Sequence, residues 1–226
     1  MKIGMIVAVR EEIDALLRTC GAPLGAEECP GYTVFQYALD GHRIFVVESG
    51  AGEISAASAA QFLITKYSAE LLVNFGVCGG LTDGMALTRT VVVEKAVHYD
   101  FDASPFYHIP PCQYPDYAEI YLPATPALVA AACNAVPTLK PVICASGDKF
   151  VEDPALKAHL HRAYGAEICE MEAAGILLTA HRNQVPVLLL KAVSDSVSGD
   201  AGEYAAMVHD AAAVCLRVLL QILRGI

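Results

Sequence analysis

Charge is scarce in this 226-residue sequence: Asp, Glu, Lys and Arg together make up 18% of it. Basic residues are the scarcer kind, 15 against 25 acidic, which gives a formal charge of −10. With no Lys/Arg run of useful length, a groove for the phosphate backbone of a nucleic acid is not expected. The eight cysteines include no Cys-x-x-Cys pair, and most sit in apolar surroundings such as Val142-Ile143-Cys144. That pattern points to reduced, buried thiols in a cytoplasmic protein and away from a disulfide framework. Metal-ligand spacing is missing too: the seven histidines form no HExxH pair, and His159 and His161, two apart, would diverge if they lay on a helix. Neither a metal nor a cofactor is expected. Gly50-Ala51-Gly52 carries Ser55 where a dinucleotide fingerprint needs its third glycine, and Ser146-Gly147-Asp148 is not a nucleophile elbow. No apolar run reads as long and uninterrupted enough to span a bilayer. The apolar start, Met1 to Val9, runs straight into Arg10-Glu11-Glu12 and reads as a strand, not as a signal peptide. The ligand left by these exclusions is small, and neutral or cationic.

What the chain has in quantity is apolar side chains, 55% of the total, enough for a core covered on both faces. Strands are expected over 3–9, 32–38, 43–48, 71–75, 91–93, 141–145 and 187–193. Helices are expected over 11–18, 53–67, 126–135, 170–182 and 203–223. Asp40-Gly41 between two strand patterns is a hairpin signal. The stretch from Tyr99 to Pro126, rich in Pro, Tyr and Asp, reads as a long irregular excursion, a lid or an interface arm. Strands alternating with helices predict one α/β domain over residues 1–226, a mainly parallel central mixed sheet flanked by helices. Ligands of such sheets bind beyond the carboxyl ends of the strands.

Three carboxylates fall at those ends. Glu12 follows the first strand, Asp195 follows the strand 187–193, and Glu172 opens a helix of small and apolar residues. Each has a plainer explanation: Glu12 favoured by a helix dipole, Asp195 capping a loop, Glu170 and Glu172 on opposite sides of one helix. Three of them at the ligand edge of a charge-poor protein favour a site. Gly76-Val77-Cys78-Gly79-Gly80, ending another strand, would let backbone approach a ligand closely.

Taken in order, KIGMIVAVREEIDALL, VESGAGEISAA, NFGVCGGL, SGDKFV, EMEAAGI and KAVSD resemble the nucleoside phosphorylase superfamily. Within it they are most similar to the 5'-methylthioadenosine/S-adenosylhomocysteine nucleosidases. The resemblance implies hydrolysis of a purine N-glycosidic bond by a homodimer, without cofactor or membrane. It implies that Glu12 activates water and that Asp195, helped by Ser194, protonates the purine. Glu172 would bind the ribose hydroxyls above Met171, Phe150 would stack on the base, and the Val151 backbone would read its edge. Val77, Gly79 and Lys191 complete the implied binding set. On this reading Asp195 needs a dry site that raises its pKa, while a helix N-terminus keeps Glu12 ionised.

Departures leave alternatives open. Val77 and Lys191 stand where many bacterial nucleosidases have serine and arginine, and Arg10 keeps phosphorolysis in view. The unusual 99–117 segment suggests a changed 5'-group, for example that of futalosine. A nucleoside sensor without chemistry is the non-enzymatic alternative, and the intact Glu12, Glu172 and Asp195 speak against it.

Overall fold

A computed structural model describes all 226 residues. The chain runs β1 (Lys2–Val7), α1 (Arg10–Cys20), β2 (Gly25–Cys29), β3 (Tyr32–Leu39), β4 (His42–Glu48), α2 (Glu53–Tyr67) and β5 (Leu71–Gly80). It continues through β6 (Thr90–His98), α3 (Ser104–Tyr107), β7 (Tyr121–Pro123), α4 (Pro126–Ala135) and β8 (Lys140–Ser146). The last elements are α5 (Pro154–Tyr164), β9 (Ile168–Glu170), α6 (Ala173–Asn183), β10 (Val187–Asp195) and α7 (Ala201–Leu223). The α/β fold class expected from the sequence is the one observed.

Local chemistry accounts for the clearest boundaries. Asp40 and Gly41 both take positive φ, 49° and 82°, as a tight turn between β3 and β4 requires. Pro126 and Pro154 sit in the first turns of α4 and α5, where a missing N–H costs nothing. β10 is buried along its whole length, which is why it opens with a continuous apolar run, Val187–Leu190, and not an alternating one.

Five strands close on themselves. β5 pairs with β10, β10 with β6, β6 with β8, β8 with β9, and β9 returns to β5. From this ring an arm extends through β1 and β4, parallel to β5, and then through the antiparallel β3 and β2. β5 therefore changes partners along one edge, pairing with β1 from Leu71 to Asn74 and with β9 at Gly79 and Gly80. Between Asn74 and Gly79 that edge has neither strand beside it, so its backbone is free to meet side chains. Helix α2 packs on β1 and β4 of the arm, α6 and α7 pack on the ring, and α1 packs on α7.

Several expectations need correction. No strand is expected from the sequence over the Gly/Pro-rich residues 21–31, yet β2 lies there, and α5 and β9 are likewise additional elements. Residues 170–172 are not helical: Glu170 ends β9 and Glu172 is the N-cap of α6. The 99–126 excursion is irregular as expected, holding only α3 and β7. The exclusion of any membrane-length apolar run also fails, because α7 contains an 18-residue window with a mean hydropathy of 1.6, long and apolar enough to cross a bilayer. In the fold its apolar stripe, including Ala211, Cys215, Leu216 and Leu219, packs on β10, β5 and α1. All eight cysteines are free thiols, and Cys78, Cys112, Cys144, Cys169 and Cys215 are buried.

Candidate active site

A cavity of about 200 Å³ opens where β1, β5, β9 and β10 end. Glu12, Val77, Gly79, Phe150, Val151, Met171, Glu172, Ser194 and Asp195 all line it. Lys191, the remaining residue implied by the motifs, lies beneath the lining, 1% exposed. No residue of 99–117 lines this cavity; Phe101, Tyr107, Tyr114 and Tyr117 wall a separate cleft with His181. Arg10 is exposed and paired with Asp14 at 3.2 Å, away from the cavity.

Glu12 stands in the first turn of α1, directly beside the unpaired stretch of β5. Its Oε2 accepts from the N–H groups of Ala8 (2.7 Å) and Val9 (3.3 Å), and its Oε1 from Val77 (3.0 Å). Gly76 makes this approach possible, since a Cβ there would collide with the carboxylate. Glu12 is nevertheless 2% exposed, and burial raises its pKa against the opposing pull of Lys191 and the three N–H groups. The helix terminus expected to favour the ionised form is therefore opposed here by loss of water, which pushes the Glu12 pKa up.

Asp195 ends β10. The register against β5 slips between Val193 and Asp195, so Ser194 is the extra residue of a bulge that sets Asp195 opposite Gly79. The Ser194 hydroxyl lies 3.1 Å from Asp195 Oδ1 and 3.2 Å from the Cys78 carbonyl. Asp195 Oδ2 is paired with Lys157 Nζ at 2.8 Å. Burial raises the Asp195 pKa, and Lys157 counters it.

Glu172 accepts from Gly52 N–H at 3.3 Å and lies 3.5 Å from Lys191 Nζ. Burial pushes its pKa up to about 7, held back by Lys191 and helped by Glu170. Lys191 makes its closer contact, 2.9 Å, with Glu170. Burial alone would discharge this ammonium, but Glu170, Glu172 and Glu12 surround it and hold its pKa well above the ordinary lysine value. Phe150, 45% exposed, meets Tyr204 edge-on at 5.6 Å across the cavity mouth.

Sequence reading missed the layer behind these residues. The N-terminal N–H groups of α6 are capped from three elements: Ala173 by Glu170 (3.0 Å), Ala174 by Ser146 (3.1 Å), Gly175 by Glu53 (2.5 Å). Ser146 Oγ also contacts the carboxyls of both Glu53 and Glu170. One hydroxyl carries one proton, so two ionised carboxylates cannot both be satisfied there. Accordingly burial and Glu170 raise Glu53 to about 8, whereas Lys191 and Ser146 keep Glu170 below the ordinary value. The available signal was two glutamates set among small apolar residues, Gly52-Glu53-Ile54 and Cys169-Glu170-Met171.

A ring-and-arm α/β fold with carboxylates buried at its strand ends defines a class, and residues 2–226 match the phosphorylase superfamily. The chain belongs to that superfamily. It is 32% identical over 209 residues to the 5'-methylthioadenosine/S-adenosylhomocysteine nucleosidase of Shewanella sediminis, with 89% of each chain covered. The nucleosidase of that name from Neisseria meningitidis, solved with methylthio-immucillin-A, superposes with a TM-score of 0.91 at 26% identity. That match covers 100% of this chain and 99% of the other. Futalosine hydrolase of Helicobacter pylori matches in fold, with a TM-score of 0.93 at 24% identity and 100% of this chain and 98% of that one covered.

Proposed function

We propose that this protein hydrolyses the N-glycosidic bond of 5'-methylthioadenosine and/or S-adenosylhomocysteine, releasing adenine and the 5'-substituted ribose. One observation carries the reading: Glu12 and Asp195, both buried and both raised in pKa, line the same cavity. Cleaving a ribosyl C–N bond builds positive charge on the sugar and negative charge on the base. One group must then protonate the leaving base while another draws a proton from water on the opposite face of the sugar.

In this reading Asp195 protonates N7 and Glu12 is the base, its raised pKa bringing it closer to the neutral range in which a general base works best. Glu172 and Met171 hold the ribose, Lys191 keeps Glu172 available as an acceptor, and Phe150 stacks on the purine above Val151. Ser194, Val77 and Gly79 shape the floor. Water as the acceptor is favoured because the Glu12 carboxylate lining the cavity would repel a phosphate anion, and Arg10 is paired with Asp14 and does not line the cavity. The protein is taken as a cytoplasmic homodimer with residues 1–226 as one catalytic unit. The free thiols agree with that compartment, and exposed Phe106 and Tyr107 beside the second cleft agree with a subunit contact.

A substrate panel of methylthioadenosine, S-adenosylhomocysteine, adenosine and futalosine tests the assignment. Free base should be released fastest from one of the first two. Fastest turnover of futalosine would move the substrate to the other nucleosidase. Tight nucleoside binding with no base released would make the protein a sensor.

A further inference from the structure

Lys157 lies on the inner face of α5 and is fully buried, 0% exposed. An ammonium taken out of water at that depth must find partners or lose its proton. Lys157 finds three: Asp195 Oδ2 at 2.8 Å, the Ser196 carbonyl at 2.6 Å and the Gly199 carbonyl at 3.1 Å. These use all three donors of the group, so the charge is held in one place. All three partners belong to the end of β10 and the segment leading to α7, none to its own helix. Lys157 does not line the cavity. It reaches Asp195 from behind, through Oδ2, while Oδ1 faces Ser194.

We propose that Lys157 is a positioning residue for Asp195, its fixed positive charge stabilising the carboxylate that forms when Asp195 gives its proton to the leaving base. The inference rests on the reading of Asp195 as the general acid. As the C–N bond breaks, its electron pair goes to the base, and the Asp195 proton moves to N7. Water supplies hydroxide to the sugar carbon and its other proton to Glu12. Asp195 is left ionised in a dry site, and the adjacent ammonium is what makes that state affordable. The other titratable groups facing it are Glu203 and Tyr204 of α7, Cys169 of β9 and Cys78 of β5. None of them stabilises a carboxylate by charge, and Glu203 opposes it.

The test is the pH dependence of kcat and KM for adenine release by Lys157→Met, Lys157→Gln and Lys157→Arg. Met matches the shape without charge, Gln keeps donors for the two carbonyls, and Arg keeps the charge. The two neutral variants should lose about 10–100-fold in kcat with KM little changed, a share of the usual general-acid contribution. Their alkaline limb should move up by about one to three pH units, because an acid stripped of its cationic neighbour holds its proton longer. Arg should bring the limb back. An unmoved limb, or kcat and KM lost together in all three variants, overturns the proposal and leaves a structural role. Should both neutral variants fail to fold, infrared difference spectra of the wild type against Asp195→Asn read the carboxyl directly. It should ionise within the pH range over which the protein stays folded; a carboxyl still protonated throughout that range, as in an unpaired apolar site, overturns the proposal. Asp195→Asn at full rate would instead overturn the acid reading itself.

Discussion

Replacing Gly79 with alanine would set a methyl group 2.9 Å from Asp195 Oδ2 and 3.0 Å from Cys169 Sγ. Ordinary contact for a Cβ begins at 3.4 Å, so Asp195 and the sulfur must each give way by about half an ångström. Neither is the loose end of a flexible chain. Asp195 is anchored by Lys157 at 2.8 Å and by Ser194 at 3.1 Å, and Cys169 lies in β9, paired directly with Gly79. A misplacement of about 1 Å at a reacting group costs about 100-fold in rate, so half of that should cost on the order of tenfold. The loss should fall on kcat, because the methyl displaces the proton donor and leaves the stacking and ribose contacts in place. Initial rates of adenine release across a range of methylthioadenosine concentrations separate kcat from KM. Gly25→Ala, with nothing within 4 Å of its new methyl, is the control and should behave as the wild type. A Gly79→Ala enzyme with unchanged kcat would refute the placement of Asp195 at the reacting atoms.

Other consequences concern the charges behind the cavity. Lys191→Met strands Glu170 and Glu172 in the interior and should cost about 3–5 kcal/mol in urea unfolding, the usual penalty for breaking a buried pair. A loss below about 1 kcal/mol would mean that water reaches the cluster. Glu53, with a folded pKa of about 8 against an ordinary 4.5, binds its proton more tightly folded than unfolded. Stability should therefore fall as pH rises from about 4.5 to about 8. Glu53→Gln keeps an acceptor for Gly175 and a donor for Ser146, so its melting temperature at pH 8.5 should exceed that of the wild type, by about 2–4 °C per kcal/mol regained. Equal temperatures at that pH would show that no proton is held there. Phe150→Ala should raise KM about tenfold with kcat nearly intact, since base–aromatic stacking is worth about 1–3 kcal/mol; a fall in kcat alone would place the ring elsewhere in the mechanism.

The arrangement of strand ends was legible because period and punctuation carry it. Helices 53–67 and 126–135 were read at their observed bounds, the first entered through Gly52, the second through Pro126. Strand-end logic likewise brought Glu12, Glu172 and Asp195 to one cavity. What escaped is what depends on contacts distant in sequence. β9 is three residues long, too short for any pattern, yet it closes the ring and turns Glu170 toward Lys191. Read on one helix, Glu170 and Glu172 had to diverge; with one ending a strand and the other capping a helix, both reach the same ammonium. α5 was hidden because Lys157 breaks its apolar face, and that charge makes sense only beside Asp195, 38 residues away. The burial of Glu12 was hidden for the same reason: a helix N-terminus is visible in sequence, whereas loss of water to distant elements is not.

The central claim is hydrolysis, and release of adenine from methylthioadenosine with phosphate present and with phosphate rigorously removed tests it most directly. Equal rates under the two conditions are expected. A rate that depends strictly on phosphate would make the protein a phosphorylase and contradict the role given to Glu12.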